Sequence, residues 1–163
     1  MINIKDLPLS DAIFSSDKKY RYALWRIWDK NLPMVNFIGL NPSIANKKEN
    51  DPTLNRCISF AESWKFGGCF LTNLSAYVTT YPKELFKVEN PVGVDNDKWI
   101  AEISNKTDVV VFAWGANGIF LNRNESVIKL VNKQGHCIKL TKKGHPGHPL
   151  YLKGDLNYKP YQF

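Results

Sequence analysis

The sequence has no GxGxxG dinucleotide fingerprint, no P-loop and no GxSxG nucleophile elbow; "GCFLTNL" and "GANGIF" lack the required spacing. No motif therefore calls for a cofactor. Histidine is scarce: His136, His145 and His148 stand at no metal-ligand distance from cysteine or carboxylate, so no metal is expected. The three cysteines, Cys57, Cys69 and Cys137, are odd in number and form no CxxC pair. They read as small core residues of a protein kept in a reducing cytoplasm. No apolar run approaches the roughly 18 residues that span a membrane. The amino-terminal "INIKDLPLSD" has no apolar signal-peptide core, so no membrane association is expected. No element carries paired carboxylates, which argues against an ordinary glycoside hydrolase.

What is present suits one globular domain over residues 1–163. Lys and Arg number 22 against 15 Asp and Glu, a formal charge of +7. A field of that sign favours nucleic acid or a nucleotide as partner, although many small basic domains bind nothing acidic. The lysines are scattered, so no basic tail is indicated.

Along the chain, residues 20–28 ("YRYALWRIW") alternate imperfectly and read as a strand. Residues 34–40 ("MVNFIGL") read as a second strand, open to antiparallel pairing with the first. The loop "NPSIANKKEN" follows. Asp51 and Pro52 then form an N-cap and first turn, and Leu54, Cys57, Ile58, Ala61 and Trp64 recur at helical spacing up to Gly67-Gly68. "CFLTNL" at 69–74 is a short buried strand, and 76–94 a connection long enough for binding loops. A helix over 95–106, an apolar strand over 108–115, a helix over 122–135 closed by Gly135 and a last strand "HCIKL" complete the reading. The alternation predicts a three-layer α/β/α sandwich with a mostly parallel central sheet, plus an amino-terminal strand or hairpin. In such sheets the site lies at the carboxyl ends of the strands. There the chain places Asn41-Pro42-Ser43, Asn73 and Trp114-Gly115.

Each of these residues has a bland reading beside a functional one. Asn41-Pro42 is a turn signal in its own right. Ser43 can cap the turn or touch a ligand. Asp51 and Thr53 can cap the helix or face a pocket. Arg56 is either a solvated helix residue or a phosphate ligand. Trp114 either stacks on a base or packs in the core.

"GLNPS" (Gly39 to Ser43) resembles the first active-site motif of the uracil-DNA glycosylase superfamily, notably its mismatch-specific branch. "HPLYL" (His148 to Leu152) resembles the second motif, "FLTNL" the strand between them, and "VVVFAWG" the strand before the second motif. The set "LNPSIAN", "NDPTLNRCISFAESW", "NPVGVDND", "AWG" and "HPLYL" is also similar to a family of small bacterial and phage proteins known only as a domain of unknown function. The superfamily resemblance implies a parallel four-stranded sheet and a base-binding pocket at the strand ends. By motif, it implies that Asn41 positions water, His148 faces the leaving base and Asn73 reads the base edge. The implied activity is N-glycosidic bond hydrolysis, on a base in DNA or on a nucleotide-derived molecule. The alternative is a non-catalytic nucleotide or nucleic-acid binder on the same fold. Asn41 stands where the most active branch has Asp, so Asn41→Asp is expected to supply a base and raise the rate. Tyr151 stands near the DNA-wedge position of the second motif without matching it.

Overall fold

The computed structural model describes all of residues 1–163. The strands are β1 (Ser10–Phe14), β2 (Arg21–Ile27), β3 (Met34–Gly39), β4 (Gly68–Asn73), β5 (Val109–Phe112), β6 (Gly135–Cys137) and β7 (Lys159–Pro160). The helices are α1 (Pro52–Ser63), α2 (Asn96–Lys106) and α3 (Arg123–Leu130). The strands form one sheet in the order β1-β2-β4-β3-β5-β6-β7. The central four, β4-β3-β5-β6, are parallel, while β1-β2, β2-β4 and β6-β7 are antiparallel. The sheet is thus mixed rather than mostly parallel: an amino-terminal hairpin extends one edge and the returning tail extends the other.

Burial follows the period of two expected of strands. Val35 and Phe37 of β3, Leu71 of β4 and Val111 of β5 pack against Leu54, Cys57 and Phe60 of α1. Ile38 and Val110 point the other way, toward Ile100 of α2 and Val127 of α3. Helices therefore cover both faces, an arrangement compatible with a three-layer sandwich. No helix is long and apolar enough to cross a membrane.

Several expectations are corrected. β2 does not neighbour β3; β4 lies between them, because β3 and β4 are joined by a parallel crossover and β2 adds to the outside of β4. The hairpin is instead made by β1 and β2. Helix α1 ends at Ser63, and Lys65 takes the left-handed turn (φ 66°) expected of glycine. Helix α3 stops at Leu130, because Val131 turns extended and buries its side chain with Ile100 and Val127; Gly135 opens β6 instead.

One polar cluster sits inside this apolar layer. Asn36 in mid-β3 donates to Thr72 Oγ1 at 3.1 Å and to Ser104 Oγ at 3.2 Å, tying β3, β4 and α2 together. All three residues are buried. A buried polar group left unpartnered costs more than its hydrogen bond is worth. Asn36→Ala is therefore expected to cost on the order of 2–3 kcal/mol by urea denaturation, less than additively with Thr72→Val. A loss below about 0.5 kcal/mol would show that the cluster is not a stabilising unit.

Candidate functional site

The carboxyl ends of β3, β4 and β5 open into one cavity of about 850 Å³ on the α1 side of the sheet. That size suits a small ligand or cofactor. Its wall includes Asn41, Ser43, Asp51, Thr53, Asn73, Trp114, Gly115, His148 and Tyr151. Residues more than 100 positions apart thus meet because parallel strands end together. Pro42 and Arg56 do not line it.

Asn41 follows β3. Its amide Nδ2 donates to Pro42 O at 3.0 Å and Thr79 O at 2.8 Å. Two carbonyl acceptors fix the orientation of the amide, so Oδ1 is left as an acceptor with no partner in the protein. Pro42 serves this turn through its backbone: its carbonyl also accepts the Thr79 N–H at 3.0 Å. The Ser43 hydroxyl, expected to cap a turn, makes no hydrogen bond and faces the cavity.

Asn73 ends β4 and is buried, with Nδ2 lacking any partner. A side chain at position 39 would put its Cβ 2.8 Å from Asn73 Oδ1, so Gly39 makes room for this amide. Asp51 does both things considered for it. Its Oδ1 caps α1 by accepting the Leu54 N–H at 2.8 Å, its Oδ2 accepts the Ala45 N–H at 3.3 Å, and the carboxylate lines the cavity. Thr53, in the first turn of α1, lines the same wall.

Trp114 is only 2% exposed. Its ring stacks on Phe112 (centroids 4.6 Å apart) and packs so closely over Gly118 that a Cβ there would lie 2.2 Å away. It is a packed wall rather than an open stacking platform. Gly115 follows at φ 72° and ψ −166°, a conformation that only glycine adopts readily. Tyr151 is 85% exposed and sits at the rim.

His148 heads a single 3-10 turn, Pro149–Tyr151, and its Nδ1 accepts the Leu150 N–H at 3.2 Å. The neutral ring therefore carries its proton on Nε2. Burial pulls the imidazole below its ordinary range, and the Asp51 charge partly restores it. Arg56 holds this segment down. Its guanidinium donates to Pro149 O at 3.3 Å and to Leu152 O, and lies 5.3 Å over the Phe60 ring. Carbonyls of the tail thus engage the guanidinium that the sequence left open as either solvated or a phosphate ligand. Trp64, read as core, does pack on Phe37 and Phe60 and donates Nε1 to Leu156 O at 3.0 Å.

The sequence reading missed Arg21, which also lines the cavity. It is buried and donates Nη1 to Ala45 O at 2.6 Å. Burial pushes its guanidinium down to about 10, against the pull of Asp51. Thr79 and Thr80 of the long connection and Lys139 and Lys142 beyond β6 complete the rim. No group of three or more His, Cys, Asp or Glu side chains is placed to hold a metal ion.

The lowered His148 value has a direction that can be checked. Between the ordinary imidazole value, about 6.5, and the lowered one, the unfolded chain binds a proton that the folded chain refuses. Stability attributable to His148 should fall as pH drops through that window, and His148→Asn should flatten the slope. Nitrogen-15 spectra of the ring should show the Nε2–H form at pH 7. An Nδ1–H tautomer, or titration above 6.5, would contradict this geometry.

No match is found among curated proteins or among solved structures. A family model described as "Protein of unknown function (DUF1643)" matches residues 21–150, from the first site residue of β2 almost to the end of the His148 turn. The chain belongs to that family, and the matched span carries nearly every side chain that lines the cavity.

Proposed function

We propose that the cavity binds a nucleobase-containing molecule and hydrolyses its N-glycosidic bond, in the manner of the uracil-DNA glycosylase superfamily. One observation carries this reading: a fixed acceptor, Asn41 Oδ1, and a neutral donor, His148 Nε2–H, line the same cavity. In the proposed step, Asn41 Oδ1 holds a water against the anomeric carbon. The carbon–nitrogen bond breaks and its electron pair passes to the base. His148 Nε2–H donates to the base oxygen on which charge gathers, a contact that strengthens as the bond breaks. The water oxygen bonds to the sugar, and its proton leaves to the base or to solvent. Asn73 meets the edge of the base, and Ser43, Thr53 and Tyr151 touch the remainder of the molecule.

A second reading rests on a different observation. The one carboxylate in the cavity, Asp51, has each oxygen engaged by a backbone N–H. The cavity then holds no carboxylate free of backbone hydrogen bonds, which suits a binder that sequesters a nucleotide without turning it over.

The hydrogen bonds of Asn41 revise the expectation for Asn41→Asp. A carboxylate oxygen in place of Nδ2 would face the carbonyls of Pro42 and Thr79, neither of which can donate to it. The variant should be destabilised and slower, not faster. The deciding experiment incubates the protein with uracil- and modified-base oligonucleotides, single- and double-stranded, and with free nucleotides, and follows base release by mass spectrometry. Release that falls by about a hundredfold or more in His148→Ala and in Asn41→Ala supports hydrolysis. Ligand retained intact, with no release from any substrate, supports the binder. Release unchanged in both variants would sink the assignment of roles.

A further inference from the structure

Strands β1 and β2 fall out of step at one place. Ile13 pairs with Ala23, but the next residue, Phe14, pairs with Arg21, so Tyr22 is an extra residue on β2. Before this bulge the faces alternate cleanly: Leu24 packs on the α1 side, and Ala23 and Trp25 pack on the other. In a regular strand Arg21 would share the face of Ala23 and Trp25. The bulge turns it to the α1 side, where its guanidinium reaches Ala45 O and the cavity. Bulges commonly re-aim a side chain in this way.

The buried guanidinium is poorly satisfied. Arg21 is 2% exposed, yet Nη1 is the one nitrogen with a hydrogen-bond partner and Nε has none. It is in no ion pair; those of the protein are the amino terminus with Glu102 and Arg123 with Asp97. Asp51 pulls on its charge from beyond contact, with both carboxylate oxygens engaged by backbone N–H groups. A buried charge without a partner is expensive to keep. A second orphan donor, the buried Asn73 Nδ2, belongs to a residue that lines the same cavity. Among the charged side chains that line the cavity, Arg21, Lys139 and Lys142 face the single acid Asp51.

We propose that the ligand of this cavity is a small acid whose phosphate or carboxylate seats on Arg21, inside the pocket rather than at its rim. Resting on the nucleobase reading above, that acid is a mononucleotide, or an acidic nucleobase bound as the product that cleavage of its N-glycosidic bond releases. A phosphate of duplex or single-stranded nucleic acid runs along a protein surface on solvated cations. To reach a guanidinium 2% exposed, an oxyanion must enter the cavity with the rest of its molecule. The cavity has room for a whole nucleotide.

The test is calorimetric titration of the full chain with matched probes: the four nucleoside 5′-monophosphates and their nucleosides, uracil and its carboxylic acid orotate, inorganic phosphate, and a uracil-containing single-stranded oligonucleotide. In the wild type, a monophosphate or orotate should bind at least tenfold tighter than its uncharged counterpart. That gap should close in Arg21→Met, with uncharged probes unaffected, and Arg21→Lys should restore part of it. Which acid binds tells phosphate from carboxylate. The wild-type comparison stands even where a variant fails to fold. Uncharged probes binding as well as their acids would overturn the proposal while leaving the nucleobase reading intact. Inorganic phosphate binding through Arg21, with no preference for any nucleobase acid, would keep the oxyanion site and overturn the nucleobase reading. An oligonucleotide binding more tightly than every free acid, or no acid binding at millimolar concentration, would overturn the proposal.

Discussion

The order of the parallel strands, β4-β3-β5-β6, governs everything at the site. The chain leaves β3 and crosses to β4 on one side. It then returns past β3 to β5 on the other. Crossovers between parallel strands share one hand, so reversing the direction of travel sends the connecting helices to opposite faces. The packing agrees: α1 sits against Phe37 and Leu71, and α2 and α3 sit against Ile38 and Val110. Where the helices part, the ends of β3 and β5 cannot both be covered, and the crevice there receives Asn41 and Trp114-Gly115. Asn36, Thr72 and Ser104 lock β3, β4 and α2 together by hydrogen bonds, which fixes the register of the strand ends and hence the distances across the cavity.

Two antiparallel additions complete what the parallel strands begin. Because β2 runs opposite to β4, its amino end lies beside the carboxyl end of β4, and Arg21 N–H donates to Ala76 O at 2.9 Å. A cation from the start of the chain thereby joins asparagines from strand ends. At the opposite edge, the tail returns over α1 to pair β7 with β6. Arg56, Trp64 and Tyr158 hold that tail by hydrogen bonds and ring contacts, the Trp64 and Tyr158 centroids being 5.0 Å apart. The His148 turn is held against α1 by Arg56 and is not a free loop, so the position of its imidazole is set by packing on the helix that also bears Thr53.

How much of this was legible in the sequence depends on how local the cause is. The α1 start was legible because Asp51-Pro52 acts on its own neighbours. The strand ends bearing Asn41 and Asn73 were legible because buried strands show as apolar runs. The position of β4 between β2 and β3 was not, since it depends on the crossover rather than on any residue in those strands. β1 and β7 escaped because they are short, poorly buried edges with no strong apolar pattern. Arg21 is the instructive case. The imperfect alternation of "YRYALWRIW" was visible, but the bulge that explains it exists only when β1 is laid against β2. The partners of Arg56 were hidden for a similar reason: the carbonyls of Pro149 and Leu152 lie more than 90 residues away.

Asp51 links the electrostatics of the cavity to the fold. Its carboxylate caps α1, receives the Ala45 N–H, and acts on both Arg21 and His148 without touching either closely enough to form an ion pair. Burial lowers both groups, and the outcomes differ because they start from different values. The guanidinium at about 10 still keeps its charge at neutral pH, while the imidazole, pulled below its ordinary range, gives up its own. The cavity therefore offers both a fixed cation and a neutral hydrogen-bond donor. Had Asp51 accepted directly from His148 Nε2–H, that donor would be spent inside the protein. Had it bonded directly to Arg21, the cation would be spent inside the protein. Two backbone N–H groups hold it in place short of either, so the capping of a helix and the readiness of the cavity for an acidic ligand involve the same pair of hydrogen bonds.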